Sequence, residues 1–245
     1  MPDLDPGGLL SIIQPQHFHG ETLAGYHSRL FNHPARLLVV HDFLAAHVAE
    51  AVGQFLERDV ESRDAYGLYS REDQWNMSPD EWRTAPDDDR LFKFGVFAKV
   101  RPEVRISPRL VAFLKLRSAF GDRRAAAWFE AVAAQPLGAL EYNVHWMRTG
   151  DFLRAHTDAI GERVLAYVLF LSERWDASFG GALHVRDSSR REWVVEPTFN
   201  SLVVFDVTAR SEHFVTPIEP RAGQRVRVTL GGWVYAPESP QGSSR

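Results

Sequence analysis

Seven short runs of apolar and β-branched residues, separated by turn-forming residues, fill the chain between Leu140 and Tyr235. Runs of this length and composition are typical of β-strands. They read EYNVHWM, RVLAYVLFL, GALHV, EWVVE, NSLVVFDV, HFVTPI and RVRVTLGGWVY. Closely spaced strands that follow a helical half predict an α+β protein, in which a β-sandwich or barrel is backed by helices on one outer face.

The last run shows which of its side chains face the interior. Val226, Val228 and Leu230 share one parity, whereas Arg225, Arg227 and Thr229 share the other. Alternate residues of a strand point to opposite faces, so one face is apolar and the other cationic. If the apolar face packs against the helices, Arg227 points inward, where a buried arginine needs an acidic partner or ligand.

The half of the chain before residue 140 carries helical signals. Leu37 to Val40 predicts a short buried strand, and Asp42 is a candidate cap for a helix that runs to about Leu56. Further helices are predicted from Ser107 to Phe120 and from Arg124 to Ala134, the latter ending before Pro136.

The predicted organisation is a single domain with a short extension at each end. Residues 1–33 lack clear periodicity and predict an irregular N-terminal arm. The domain covers residues 34–237, with a helix-rich part at 34–139 and the β-rich core at 140–237. Residues 238–245 predict a disordered tail.

Charge is distributed unevenly before the β-rich core. Residues 57–90 carry eleven acidic and five basic residues, with Trp75 and Trp82 among them, and predict long surface loops. Residues 93–124 carry nine basic and two acidic residues. This basic stretch could face an acidic partner, but a solvated helix face is the favoured interpretation.

Composition excludes several classes of function. The chain has no cysteine, so a metal would have to be held by His, Asp or Glu, and disulfides and thiol nucleophiles are excluded. The first ten residues are acidic where a signal peptide is basic, and no apolar run approaches the ~18 residues of a membrane span. A formal net charge of −4 disfavours a general nucleic-acid partner. We therefore expect a cytoplasmic protein without a membrane partner, and its oligomeric state is not specified by the sequence.

A metal-binding pattern lies within the β-rich half. His156 and Asp158 are two residues apart on extended chain, so both side chains can reach one ion, and His213 can complete the set from another strand. Two imidazoles and one carboxylate are the facial triad of non-haem Fe(II) oxygenases. The pair His19 and Glu21 has similar spacing, but it lies in the arm with no strand series after it, and we do not expect it to bind a metal.

Arg227 is the candidate anion-binding residue. Its planar guanidinium can make bidentate bonds to one carboxylate of a ligand whose other end chelates the metal, and Thr229 lies beside it. Arg225 has the same parity but lies nearer the start of the strand, so it is the weaker candidate.

The sequence from about Leu140 to Tyr235 resembles the 2-oxoglutarate and Fe(II)-dependent oxygenases, specifically the prolyl-4-hydroxylase-like group. That group includes the hypoxia-inducible-factor and ribosomal-protein prolyl hydroxylases. The matching motifs are HTD at 156–158, Arg163 opening RVLAYVLFLSERW, Gly180-Gly181 in GGALHV, EPTFNSLVVFDV, His213, and RVTLGGW containing Trp233.

The resemblance implies a double-stranded β-helix, or jelly-roll, core. It also implies a dioxygenase, an oxidoreductase that binds Fe(II) on His156, Asp158 and His213 and the co-substrate 2-oxoglutarate on Arg227 and Thr229. O2 is the other substrate, and ascorbate is a candidate reductant.

Two positions depart from the resemblance. Met147 and Phe170 stand where many relatives carry tyrosines that contact 2-oxoglutarate. His145, on the same parity as Met147, or Thr229 could supply a replacement hydrogen bond to the co-substrate. His145 could instead simply pack in the core.

Three functions remain open at this point. The leading hypothesis is a hydroxylase of a prolyl or other residue in a protein or peptide, with residues 57–90 as a candidate substrate lid. The second is a hydroxylase of a free amino acid or other small metabolite in a biosynthetic pathway. The third is a metal-binding jelly-roll module without turnover, which would not need an inward Arg227.

Overall fold

The computed structural model describes residues 1–5, 7–71, 77–121 and 123–237, with the side chains of residues 123 and 124 left out. Trp75 and the predicted disordered tail lie outside the described residues. The α-helices of the described chain are α1 (Gly20–Asn32), α2 (Ala46–Arg58), α3 (Pro79–Thr84), α4 (Pro108–Phe120) and α5 (Arg123–Ala133).

Eleven strands are found among the described residues. They are β1 (Leu37–Val40), β2 (Val60–Leu68), β3 (Arg90–Val100), β4 (Asn143–Met147), β5 (Phe152–His156), β6 (Arg163–Phe170), β7 (Leu183–Arg186), β8 (Glu192–Val195), β9 (Leu202–Asp206), β10 (Glu212–Val215) and β11 (Arg227–Tyr235). All pairs are antiparallel, in the order β1-β9-β6-β11-β4-β3-β5-β10-β7-β8, and β2 pairs with β3.

The strand β3 joins the two halves of this curled sheet. One part of β3 pairs with β4, at Gly95 and Val96, and another part pairs with β5, at Phe92 and Lys93. We call β1, β9, β6, β11 and β4 the major sheet, and β5, β10, β7 and β8 the minor sheet. The curled antiparallel sheet with its helices confirms the predicted α+β jelly-roll architecture.

Two apolar cores lie on the two faces of the major sheet. The outer core joins the sheet to helices α1, α2, α4 and α5, and Val228 and Leu230 of β11 are almost fully buried in it. The inner core fills the space between the major and minor sheets and includes Met147, Phe170 and Phe205. The parity prediction for the last strand is therefore confirmed, since Arg227 and Thr229 lie on the inner face.

The predicted irregularity of residues 1–33 is wrong for residues 20–32, which form α1. Leu23, Tyr26 and Leu30 are buried in the outer core at helical spacing. Glycine, histidine and polar residues make up most of this segment and weaken the helical signal in its sequence. Packing on the outer core stabilises the helix.

Asp42 does not cap α2. The N-cap is Ala45, and Asp42 has a φ of 51°, with its carbonyl accepting a hydrogen bond from His17 Nε2 at 3.0 Å. The strand at Leu37–Val40 and the helix beginning after Ser107 are as predicted, and the Ser107 side chain accepts from the Leu110 amide at 3.3 Å.

The prediction of surface loops over residues 57–90 is wrong for Val60–Leu68. This segment is strand β2, paired along its whole length with β3. The helix-rich part thus supplies three strands, β1, β2 and β3. The strand β2 forms despite its polar composition because it pairs with β3. The acidic segment beyond β2 does form surface structure, including α3, whose Ser78 and Glu81 make a capping box.

Candidate active site

The residues His156, Asp158 and His213 meet at the end of the minor sheet. His156 is the last residue of β5 and lies directly opposite His213 of β10, and Asp158 follows β5 by two residues. The Nε2 atom of His213 lies 3.3 Å from Asp158 Oδ2, and the Nε2 atom of His156 lies 3.7 Å from Asp158 Oδ1. All three potential ligand atoms lie within 4.8 Å of one another. Among the described residues this is the cluster with the geometry of a metal centre.

A β-bulge orients His156. Between the pairs His213–His156 and Val215–Leu153, β5 has one more residue than β10, so the hydrogen-bond ladder is interrupted. The carbonyl of Arg154 is then free to accept a hydrogen bond from His156 Nδ1 at 2.9 Å. With Nδ1 donating, Nε2 carries the lone pair and faces Asp158, which is the tautomer that a metal ligand requires.

The electrostatics of this cluster favour an ionised Asp158 and a neutral His156. Burial opposes ionisation of Asp158, but hydrogen bonding and charge from His213, with charge from His156, hold the pKa of its carboxyl below the ordinary range. Burial and the neighbouring His213 lower the pKa of His156 to about 4. An anionic carboxylate beside a neutral imidazole is the combination that binds a divalent cation.

Arg227 projects from β11 into the same cavity. Its residue is 3 % exposed, its Nη1 donates to Met147 Sδ at 3.4 Å, and its Nε is buried without a hydrogen-bond partner. Burial lowers the pKa of its guanidinium to about 9. Within the described chain no carboxylate forms an ion pair with Arg227, so the site presents a buried cation suited to an anionic ligand.

Thr229 and His145 lie next to Arg227. They face each other across the pairing of β11 with β4, and both line the cavity. Burial and the charge of Arg227 lower the pKa of His145 to about 4, which keeps its imidazole neutral. Arg225, by contrast, is exposed outside the cavity, with its Cζ atom 5.1 Å from the centre of the Phe179 ring.

The positions that depart from the family pattern surround the guanidinium. Met147 provides the weak sulfur acceptor described above, and the centre of the Phe170 ring lies 5.0 Å from Arg227 Cζ. Neither side chain offers the hydroxyl group of a tyrosine. The polar groups near Arg227 that can bind a carboxylate are therefore those of Thr229 and His145.

The cavity between the two sheets has a volume of about 950 Å³. Its apolar walls include Phe92, Phe94 and Leu183, and Tyr69 and Ile160 lie at its rim. The His156–Asp158–His213 cluster and Arg227 line one continuous space. A small dicarboxylate can therefore contact the guanidinium and the cluster together, with room left for a substrate group.

Some residues of the site were not assigned a role from the sequence. Arg163 Nη1 lies 3.8 Å from Asp158 Oδ1, and its Cζ lies 3.5 Å from the centre of the Trp233 ring. Phe205 packs edge-on against His213, with ring centres 4.8 Å apart. Tyr69 reaches the rim from the end of β2, and the acidic composition of that region gave no signal for it.

The donor set fits Fe(II) and a 2-oxo acid. Two imidazoles and a carboxylate on one side leave coordination positions open on the other, as in the facial triad of non-haem Fe(II) oxygenases. Arg227 Nε is buried without a hydrogen-bond partner, so the end of the cavity away from the triad has a polar donor that an anionic ligand can satisfy. A triad of this kind and a buried guanidinium in one cavity are the arrangement expected of a 2-oxo-acid-dependent non-haem iron oxygenase.

Comparison with known families agrees with this class. Residues 142–235 match the family described as "2OG-Fe(II) oxygenase superfamily". The resemblance noted in the sequence is thereby confirmed.

Curated relatives include prolyl hydroxylases. The chain is 32% identical over 112 residues to the "Prolyl 3,4-dihydroxylase OGFOD1" of Ostreococcus tauri, covering 41% of this chain and 21% of that protein. It is 30% identical over 140 residues to the "Prolyl 3-hydroxylase OGFOD1" of Mus musculus, covering 54% of this chain and 25% of that protein. The matched segments thus span about a quarter or less of these relatives.

Solved structures share the fold. A prolyl-4-hydroxylase from Pseudomonas putida aligns with a TM-score of 0.56 at 21% identity, covering 87% of this chain and 98% of that one. A Trichoplax adhaerens prolyl hydroxylase, in complex with a hypoxia-inducible-factor peptide fragment, aligns with a TM-score of 0.61 at 14% identity, covering 88% of this chain and 90% of that one.

The described part of this chain contains no helix that is both long and apolar enough to cross a bilayer.

Proposed function

We propose that this chain is an Fe(II)- and 2-oxoglutarate-dependent dioxygenase that hydroxylates an unactivated C–H bond of a prolyl or other residue in a protein or peptide. The observation that carries the proposal is the buried, unpaired guanidinium of Arg227 in the cavity that also holds His156, Asp158 and His213. A metal-binding module without turnover has no use for this costly buried cation. The prolyl hydroxylases among the relatives support the substrate class.

Each residue has a defined task in this proposal. His156, Asp158 and His213 would hold Fe(II), with Arg154 fixing the ring of His156 through its carbonyl. Arg227 would make bidentate hydrogen bonds to the distal carboxylate of 2-oxoglutarate, and Thr229 and His145 would donate to it. When bound, Fe(II) and 2-oxoglutarate activate O2 for C–H hydroxylation, with decarboxylation to succinate and CO2. The apolar walls exclude water from the reacting centre.

The first experiment is an anaerobic titration of the Fe(II)-loaded protein with 2-oxoglutarate. Chelation of the iron by the 2-oxo acid is expected to produce a weak visible charge-transfer band, and this test needs no substrate. The band should be absent in Asp158→Ala. Iron bound without any band in the native protein would contradict the proposal.

A second experiment tests the substrate class. The protein is incubated with proline-containing peptides, Fe(II), 2-oxoglutarate and O2, and hydroxylation is followed by mass spectrometry. Proline-containing peptides should also inhibit the turnover of any other substrate by competing for the site. If the enzyme instead hydroxylates a free amino acid or other metabolite, these peptides should not inhibit that turnover. We also predict a cytoplasmic location and the use of ascorbate as reductant, and repeated turnover with and without ascorbate checks the latter.

A further inference from the structure

A second depression lies on the outer face of the minor sheet, behind the candidate active site. This outer groove has a volume of about 420 Å³ and is lined chiefly by Tyr69, Phe152, Arg154, Arg186, Phe214 and Pro217. Most of its lining surface is apolar. Its role is not accounted for by the binding of iron or 2-oxoglutarate.

The bulge in β5 forms the floor of the outer groove. The extra residue of β5 lies between Leu153 and His156, where Arg154 and Ala155 leave the regular ladder. The carbonyl of Ala155 accepts a hydrogen bond from the Tyr69 hydroxyl at 2.8 Å, and the carbonyl of Arg154 accepts from His156. The same irregularity therefore orients a metal ligand on one face of the sheet and shapes the groove on the other.

The outer groove adjoins the active-site cavity. Tyr69, Leu153 and Val215 line both spaces. Tyr69 is 48% exposed and lies at the boundary between them. A chain that places one residue in the cavity can therefore continue past Tyr69 into the groove, whereas a small metabolite held in the cavity does not extend that far.

The chemistry of the groove favours an apolar occupant. Phe152 and Phe214 each carry an arginine over their ring, with Arg154 Cζ at 5.2 Å and Arg186 Cζ at 4.8 Å from the ring centres. Both arginines already have acidic partners. Arg154 Nη2 donates to Asp87 at 2.9 Å, and Arg186 Nη1 donates to Glu212 at 2.8 Å. With these cations neutralised, the groove offers aromatic surface and little net charge.

We infer that the outer groove binds an apolar side chain of the polypeptide substrate, a few residues from the residue that is hydroxylated. This inference rests on the proposed function and narrows its substrate class to extended polypeptides with an apolar residue at a fixed offset from the target. Phe152 and Phe214 determine specificity here and are not catalytic.

The test uses the full chain and a pool of peptides with a central proline and randomised residues on both sides. Hydroxylated peptides are identified by mass spectrometry and sequenced. The native protein should select an apolar residue at one offset from the proline. Phe214→Ala should reduce this preference about tenfold, as expected for the loss of an aromatic contact at a binding surface.

Two further variants keep the test decisive. Phe214→Leu retains an apolar side chain on the sheet and should weaken the preference without unfolding the protein. Phe31→Ala is the matched control, because Phe31 is a half-buried phenylalanine on α1 with an arginine over its ring. The control should leave the preference unchanged.

The outcomes separate this inference from the proposed function. Decarboxylation of 2-oxoglutarate without added peptide reports on the iron site alone and should be similar in all these proteins. If decarboxylation proceeds while the pool shows no apolar preference, or while the preference survives in both Phe214 variants, the groove inference is overturned and the oxygenase proposal stands. Absence of decarboxylation in the native protein would instead overturn the proposed function.

Discussion

Gly181 leaves the space through which the side chain of Arg227 reaches the cavity. A Cβ atom at Gly181 would lie 2.7 Å from Arg227 Cδ and 2.6 Å from Ile218 Cδ1, both closer than van der Waals contact allows. Gly181 also has a φ of +75°, a conformation that side chains rarely adopt. The glycine is therefore tied to the position of the arginine.

Replacement of this glycine should affect both stability and co-substrate binding. Gly181→Ala is expected to destabilise the protein by about 1–3 kcal/mol and to raise the KM for 2-oxoglutarate, because the added methyl displaces Arg227. Chemical denaturation and decarboxylation assays measure the two effects. Gly150→Ala is the control, since Gly150 has a φ of +83° with nothing within 4 Å of the position of its Cβ. An equal rise in KM in both variants would show that backbone strain alone is responsible.

Arg227 and Arg225 form a matched pair for testing the carboxylate site. Arg227→Ala should raise the KM for 2-oxoglutarate by about 10- to 100-fold, the effect of losing charge-assisted hydrogen bonds in a buried site. Arg225→Ala should change it by less than about threefold, because exposed charges contribute little. Steady-state kinetics at varied 2-oxoglutarate concentrations distinguishes them. A larger rise in KM in Arg225→Ala than in Arg227→Ala would mean that Arg225 binds the carboxylate.

Regular alternation explains why the cavity side of β11 could be predicted from sequence. The strand is regular around Arg227, so parity alone places Arg227 and Thr229 opposite the apolar residues that pack on the helices. The same alternation places His145 on the face of Met147, whereas its position opposite Thr229 depends on the register between β4 and β11. The motif spacing likewise predicted that His156, Asp158 and His213 meet.

Other elements gave weak signals for physical reasons. The strand β5 is short and contains a bulge, so its side chains do not alternate cleanly. The strand β3 pairs with both sheets and has register shifts against β2, which gives it buried residues on both faces. The outer groove and the position of Tyr69 depend on the pairing of strands that are distant in sequence, around these irregularities. The local sequence does not predict that pairing.

The metal cluster can be tested on the protein's own residues. His156→Ala, Asp158→Ala and His213→Ala should each reduce Fe(II)-dependent succinate formation below detection, because two ligands hold the ion weakly and in poor geometry. The fold should persist, since the cluster lines the cavity and lies outside the apolar cores. Circular dichroism and a succinate assay are the measurements.

A histidine on the other face of the minor sheet is the control for this series. His184 lies on β7 and contacts Glu192 at 2.7 Å on the outer face. His184→Ala should retain turnover. Full activity in any of the three cluster variants would contradict the assignment of that residue as a ligand.

His145, half-buried in the cavity wall, should make the metal-free protein sensitive to acid. Its pKa is lowered from 6.5 to about 4 by burial and by the charge of Arg227. The unfolded chain therefore binds a proton on this residue as the pH falls below 6.5, whereas the folded protein does so only near pH 4. The contribution of His145 to the free energy of unfolding is therefore fully present above pH 6.5 and is lost as the pH falls towards 4. The loss from this one group is up to about 3 kcal/mol.

Denaturant unfolding of the metal-free protein at pH 7 and at pH 4.5 measures this loss. His145→Gln should lose less stability over that interval than the native protein, since glutamine does not titrate. His156 has its pKa lowered to about 4 as well, but it is present in both proteins, so the difference isolates His145. His47→Gln replaces an exposed histidine of α2 and should behave like the native protein. Parallel losses in all three proteins would mean that His145 is not held neutral beside Arg227.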